Sequence, residues 1–189
     1  MKKFILASAS PRRSAILSQL NIPFRVEVSH FEEKDSGLKP KDRPQYFAEE
    51  KAKEVSSRFP GEYVLGFDTL VYMDSASLGK PQNAEEAIGM LQRLNGSRHK
   101  VITGVAIALN GKIVESSKEI TDVIFRHVTE SFLREYVDSG EPMDKAGAYA
   151  IQGLGASLVK SINGCFYNVV GLPVAKTLEL IEHLGEGNV

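Results

Sequence analysis

Strand-type and helix-type hydrophobic patterns alternate along this chain, and that alternation restricts the fold more than any other feature. Phe4-Ile5-Leu6-Ala7 reads as a short buried strand and Phe24 to Val28 as a second, alternating one. Tyr63 to Met73 carries strand character on both sides of Asp68-Thr69. Between these runs the spacing changes. Ile16, Leu17 and Leu20 form an apolar stripe after Pro11, with Ser10 as the expected helix cap. Tyr46, Phe47, Ala48, Ala52 and Val55 predict an amphipathic helix ending near Pro60-Gly61. Ala84, Ala87, Ile88, Leu91 and Leu94 predict another up to Gly96. Phe132, Tyr136 and Val137 mark a further helix, and Leu172 to Leu184 a terminal one.

Two Asn-Gly pairs add hairpins. Asn110-Gly111 lies between strand runs Val101 to Leu109 and Ile113 to Phe125, and Asn163-Gly164 between Leu158-Val159 and Phe166-Tyr167. Strands alternating with helices, plus two hairpins, predict an α/β fold with a mixed sheet. Residues 30 to 43 read as a polar, mobile loop, and 139 to 156 as a second working loop rich in small residues. No internal repeat or low-complexity tract interrupts the 189 residues, which suit one domain or two tightly joined lobes.

A net charge of −1 leaves no broad basic face for a nucleic-acid polymer, so an anionic ligand must meet a local cluster of cations. One cysteine, Cys165, can form neither an internal disulfide nor a zinc site, and in its apolar-aromatic setting it reads as buried filler. The apolar run after Met1-Lys2-Lys3 is too short for a signal-peptide core, and no run approaches the ~20 apolar residues of a membrane span. A cytoplasmic location is expected.

Ser8-Ala9-Ser10-Pro11-Arg12-Arg13 stands at a strand-to-helix junction, where backbone N–H groups, hydroxyls and arginine forks suit phosphate oxygens. The same residues could instead be a capped helix with two solvent-facing arginines. No Gly-x4-Gly-Lys-Ser/Thr or Gly-x-Gly-x-x-Gly motif supports a kinase or a dehydrogenase. Asp68 in Gly66-Phe67-Asp68-Thr69 sits where α/β active sites gather; it could ligate a metal, deprotonate water or cap a turn. Glu32-Glu33 offers a further carboxylate for a hard divalent cation, or a solvated charge run. Lys51 and Lys53 are two apart on a helix, so only one can face a given site. Lys80 beside Pro81 is a third candidate cation. The stretch from Glu141 to Gly153 looks like a ligand-closing segment or a plain glycine-rich turn. His30, His99, His127 and His183 show no metal-ligand spacing and read as structural or exposed.

Taken together, Leu6-Ala7-Ser8-x-Ser10-Pro11-Arg12-Arg13, Glu32-Glu33, Glu50-Lys51-Ala52, Asp68-Thr69-Leu70-Val71, Lys80-Pro81, Asp144-Lys145-Ala146-Gly147-Ala148-Tyr149-x-Ile151-Gln152-Gly153 and Val170-Gly171-Leu172-Pro173 closely resemble the Maf family. The resemblance spans nearly the whole chain in order. It implies a single domain over 1–189, built as an elongated mixed sheet with flanking helices and a cleft between two lobes, similar to the inosine-triphosphate pyrophosphatases. It also implies a house-cleaning nucleotide pyrophosphatase that uses a divalent cation, Mg²⁺ or Mn²⁺, with a possible link to septum formation and a possible homodimer. Carried over residue by residue, the base acceptor falls on Asp68. The positions tied to substrate choice fall on Arg12, Thr69 and Gln152, all three matching the branch that acts on dTTP and UTP.

The expected reaction is attack of water on the α-phosphorus of a nucleoside triphosphate, releasing pyrophosphate. Arg12, Arg13, Lys51 and Lys80 would bind the phosphates, with Ser8 donating a hydrogen bond. Glu33 and Asp68 would hold the ion, and Asp68 would take the proton. The Gln152 amide complements the carbonyl and N–H of uracil or thymine, and a methyl group discriminates weakly between them. The alternatives are a pyrophosphatase for 7-methyl-GTP and a nucleotide-binding regulator of cell division without turnover. A scaffold protein would leave the charged strand ends unexplained.

Overall fold

The computed structural model describes residues 2–33 and 37–186. Met1 and residues 34–36 of the expected polar loop therefore lie outside the described residues. The elements run β1 Phe4–Leu6, α1 Pro11–Gln19, β2 Phe24–Val26, α2 Arg43–Arg58, β3 Tyr63–Met73, β4 Ala76–Leu78, α3 Ala84–Leu94 and β5 Arg98–Leu109. Then come β6 Lys112–Phe125, α4 Glu130–Asp138, β7 Val159–Asn163, α5 Phe166–Val170 and α6 Val174–Glu186, with short 3₁₀ turns between α4 and β7. One seven-stranded sheet is ordered β2-β1-β3-β5-β6-β7, with β4 paired to β3. β1 is parallel to both β2 and β3, whereas β3 with β4 and β6 with β7 are antiparallel. The expected mixed α/β architecture is what the chain adopts.

The described residues divide into two compact units. The first comprises Met1–Asp68, Thr103–Glu119 and Gly171–Val189; the second comprises Thr69–Ile102 and Ile120–Val170. In the first unit, α2 lays Ala48, Ala52 and Val55 on Ile5, Ala7, Val64, Ala106 and Ala108, all of them buried. Small side chains on both faces bring the helix close. At two positions even a methyl group is excluded: a Cβ on Gly66 would strike the Ala48 carbonyl and come within 2.9 Å of the Ala52 Cβ, and one on Gly104 would strike the backbone at Pro44. Two hydrogen bonds close this unit over long chain distances, from Arg13 Nε to the Gly171 carbonyl (2.8 Å) and from Lys2 Nζ to the Leu184 carbonyl (2.6 Å).

The second unit packs α3 and α4 around Leu91, Leu94, Val123, Phe125, Leu133 and Tyr149. The Asn110-Gly111 hairpin forms as expected, with φ of 52° and 73° at the two turn residues. The second Asn-Gly pair does not close a hairpin. Asn163 ends β7, which pairs with β6, and Phe166–Val170 is the helix α5. Asn168 explains the difference: fully buried, its amide donates to the Val101 carbonyl (3.0 Å) and to Thr121 Oγ1 (2.9 Å), and a helical turn brings it there. Cys165 is half-buried rather than a core residue, its N–H and carbonyl both hydrogen-bonded to the Thr121 hydroxyl. No helix among the described residues is long and apolar enough to cross a membrane.

Candidate active site

The first unit collects six of the nine expected residues: Ser8, Arg12, Arg13, Glu33, Lys51 and Asp68. Ser8 comes just after β1, at the carboxyl end of a parallel strand, whereas Asp68 lies inside β3, three residues past Leu65, the register partner of Leu6, and beyond the stretch of β3 that pairs with β1. α/β folds place ligands at such ends. Pro11 opens α1 and Ser10 occupies its cap position, as expected, although the Ser10 side chain makes no capping bond.

Asp68, Lys51 and Glu33 form one ionic group. Lys51 Nζ lies 2.7 Å from Asp68 Oδ1 and 2.5 Å from Glu33 Oε1. The Lys51 and Asp68 side chains are 16% and 13% exposed against 47% for Glu33, so the ammonium and one carboxylate are largely withdrawn from water. Burial raises the Asp68 carboxyl above its ordinary pKa; the Lys51 ammonium and Arg13 pull it back, and Glu33 pushes it further up. Lys53, as its helical position predicts, faces elsewhere and pairs with Glu50. Val64, Gly66 and Asp68 share one face of β3 by strand alternation, and α2 covers that face. Gly66 thus brings the helix that carries Lys51 down to the strand that carries Asp68.

The two arginines differ. Arg13 donates from Nη1 to Ser8 Oγ (2.9 Å), and its guanidinium lies 5.7 Å from the centre of the Phe67 ring. Burial brings its pKa down to about 10, against the opposing pull of Asp68. Arg12 is half-buried, with no hydrogen bond or ion pair to another described residue. Its fork remains available to a ligand.

Thr69, Lys80 and Gln152 belong to the second unit. Lys80 and Gln152 are exposed and Thr69 is half-buried. The loop that carries Lys80 is tied to the segment before Gln152, since Gly147 N–H donates to the Gly79 carbonyl (2.9 Å). Gly147 adopts φ of 67° and approaches Val71 so closely that a Cβ would lie 2.9 Å from a valine methyl.

Sequence reasoning missed three features. Gly66 and Gly104 were legible in principle, because an isolated glycine inside a strand pattern signals close backbone approach. His99, by sequence one of four scattered histidines, is buried and bonded through Nε2 to Tyr149 Oη (2.7 Å), with Phe125 edge-on to both rings. Its Nδ1 has no partner among the described residues, and burial holds its pKa down to about 4. Tyr136 and Glu141 form a hydrogen-bonded pair that no sequence signal announced.

The family model described as Maf-like protein matches residues 3–184. A dTTP/UTP pyrophosphatase of Bacillus velezensis is 47% identical over 96% of this chain and 96% of its own length. One from a Geobacillus species is 46% identical over 98% of this chain and 100% of its own. Among solved structures, the Staphylococcus aureus Ham1 protein shares the fold, with a TM-score of 0.51 at 11% identity and full coverage of both chains. With a family model spanning almost all of its length and relatives this similar, the chain belongs to the family of Maf-like proteins.

Proposed function

We propose that this protein hydrolyses nucleoside triphosphates, dTTP and UTP foremost, to the monophosphate and pyrophosphate, acting as one domain over 1–189 in the cytoplasm. The observation that carries the reading is the convergence of Asp68 and Glu33 on Lys51, in the same unit as Ser8, Arg12 and Arg13. The similar proteins of Bacillus velezensis and Geobacillus, both dTTP/UTP pyrophosphatases, point the same way.

The α-phosphoryl group is ringed by anionic oxygens, so cleavage needs charge neutralisation and in-line positioning. Arg12 supplies a guanidinium fork, Lys51 and Lys80 point charges, and Arg13 a further charge behind Ser8, whose hydroxyl donates to a phosphate oxygen. Asp68 takes the proton of the attacking water as the new P–O bond forms and the α–β bridging bond breaks, its electron pair leaving with pyrophosphate. A carboxyl whose pKa is raised by burial is better matched to that task than an ordinary one. Gln152 reads the base, and Arg12 and Thr69 are the other positions tied to substrate choice.

Two carboxylates already gathered around one positive charge are a donor set that suits a hard divalent cation. Glu33 and Asp68 would hold Mg²⁺ or Mn²⁺, which when bound neutralises phosphate charge and acidifies water.

The test is pyrophosphate release from a panel of triphosphates with Mn²⁺. Fastest turnover of dTTP and UTP supports the reading; preferred turnover of 7-methyl-GTP, or none at all, defeats it. Asp68→Asn keeps the shape and removes the base, and wild-type turnover by that variant would refute the role given to Asp68.

A further inference from the structure

Gln152 is exposed, yet the backbone on both sides of it is tied to one hydrogen-bonded pair, the buried Tyr136 and the half-buried Glu141. Tyr136, on α4 and 4% exposed, donates from its hydroxyl to Glu141 Oε1 (3.0 Å). The same hydroxyl oxygen accepts the Ala150 N–H (3.3 Å), two residues before Gln152. Beyond Gln152, the Glu141 carboxylate accepts the Leu154 N–H on Oε2 (2.9 Å) and the Gly155 N–H on Oε1 (2.9 Å). Hydrogen bonds from backbone N–H groups to an ionised carboxylate are among the stronger ones in proteins.

The chain makes room for this hub. Gly153 has φ of 66°, and a Cβ there would collide with Glu141 Oε2; a Cβ on Gly155 would collide with Tyr136 Oη. Ile151, beside Gln152, is 8% exposed and adds an apolar anchor. The short stretch that bears Gln152 is therefore held before and after by a carboxylate and a phenol that lie outside it.

We propose that Tyr136 and Glu141 are specificity-determining positioning residues: they fix the Ile151-Gln152-Gly153 backbone so that the Gln152 amide meets one pattern of base donors and acceptors and refuses others. This rests on the reading that Gln152 contacts the base. An amide on a free loop can follow cytosine or a purine to its polar groups. One on a fixed backbone leaves a mismatched base with unpaired groups, and supporting residues supply that fixity.

The experiment measures kcat and KM for dTTP, UTP, CTP and abasic deoxyribose 5′-triphosphate in the wild type and in Glu141→Gln, Tyr136→Phe and Gln152→Ala, with thermal melts to confirm folding. Glu141→Gln presents an N–H where backbone N–H groups require an acceptor; Tyr136→Phe keeps the ring and removes the hydroxyl. In both, the preference for dTTP over CTP, and for dTTP over the abasic compound, is expected to shrink about tenfold, chiefly through KM. Preference unchanged in both folded variants, or a loss shared equally by dTTP and the abasic compound, overturns the proposal. Gln152→Ala separates the premises. If it lowers the preference and the other two do not, the hub has no such role; if it leaves the preference intact, Gln152 does not read the base.

Discussion

Arg13 holds the Ser8 hydroxyl oxygen at 2.9 Å while its own Nε is spent on the Gly171 carbonyl. Ser8 Oγ also accepts the Ser10 N–H at 3.3 Å, so both of its acceptor positions are used. Its proton is left to donate, and the partner it suits is an anionic oxygen. Arg13 therefore works largely through Ser8, whereas Arg12 keeps its fork for the ligand.

A double-mutant cycle on KM for dTTP checks this division. Ser8→Ala and Arg13→Lys are each expected to raise KM about tenfold, and the double variant little more than either alone, with a coupling of about 1 kcal/mol. Arg12→Lys combined with Ser8→Ala should be close to additive. Additive effects for Arg13 and Ser8 would mean that Arg13 grips phosphate on its own.

Lys51 neutralises two carboxylates, one of them well buried. Lys51→Met should destabilise the protein by about 2 kcal/mol at neutral pH, a value discounted for the half-exposed Glu33. The loss should lessen as pH falls and Asp68 takes up a proton. Urea unfolding at several pH values measures it. In parallel, Mn²⁺ should raise the melting temperature of the wild type and not that of the Glu33→Gln, Asp68→Asn double variant.

Gly66→Ala is expected to cost about 2 kcal/mol, because the new methyl meets the backbone of α2 rather than a side chain that can swing away. Activity should fall further than stability, since the helix that retreats carries Lys51. A far larger loss of kcat than in Gly89→Ala, where a Cβ meets nothing within 4 Å, would support the account.

His99 sets a pH dependence of stability. Its folded-state pKa of about 4 lies below the ordinary 6.5, so the unfolded chain binds the proton first. Stability is complete above about pH 6.5, falls as pH drops toward 4, and then levels, with a total loss of about 3 kcal/mol. Denaturant midpoints across that window should show the slope, and His99→Phe should flatten it.

The hairpin at Asn110-Gly111 and the phosphate-type junction at Ser8 to Arg13 were legible because local chemistry decides them: a left-handed turn in one, a proline-started helix in the other. Asn163-Gly164 carried the same local signal and misled. There the buried Asn168 amide, not the dipeptide, governs the path of the chain after Gly164, through bonds to Val101 and Thr121 that are remote in sequence. Strand β4 was invisible, since Asp74 and Ser75 make its turn with φ of 49° and 66° and no glycine marks it. Its bonds to Glu33 and Asp68, both remote in sequence, separate Lys51 from Lys53. The Tyr136–Glu141 pair left no trace in the sequence, because backbone N–H groups are its partners and every residue but proline has one.

The long-range bonds of the first unit carry a consequence for biosynthesis. Ser8 leaves a ribosome well before the carbonyl that steadies its arginine, which belongs to Gly171, 158 positions after Arg13. Vectorial synthesis thus delivers all nine proposed ligand-binding side chains before the brace exists. A nascent chain halted short of Gly171 would display the full set of contacts to nucleotide while Ser8 still lacked its fixed orientation, so the Ser8 contact matures after residues made much later than itself.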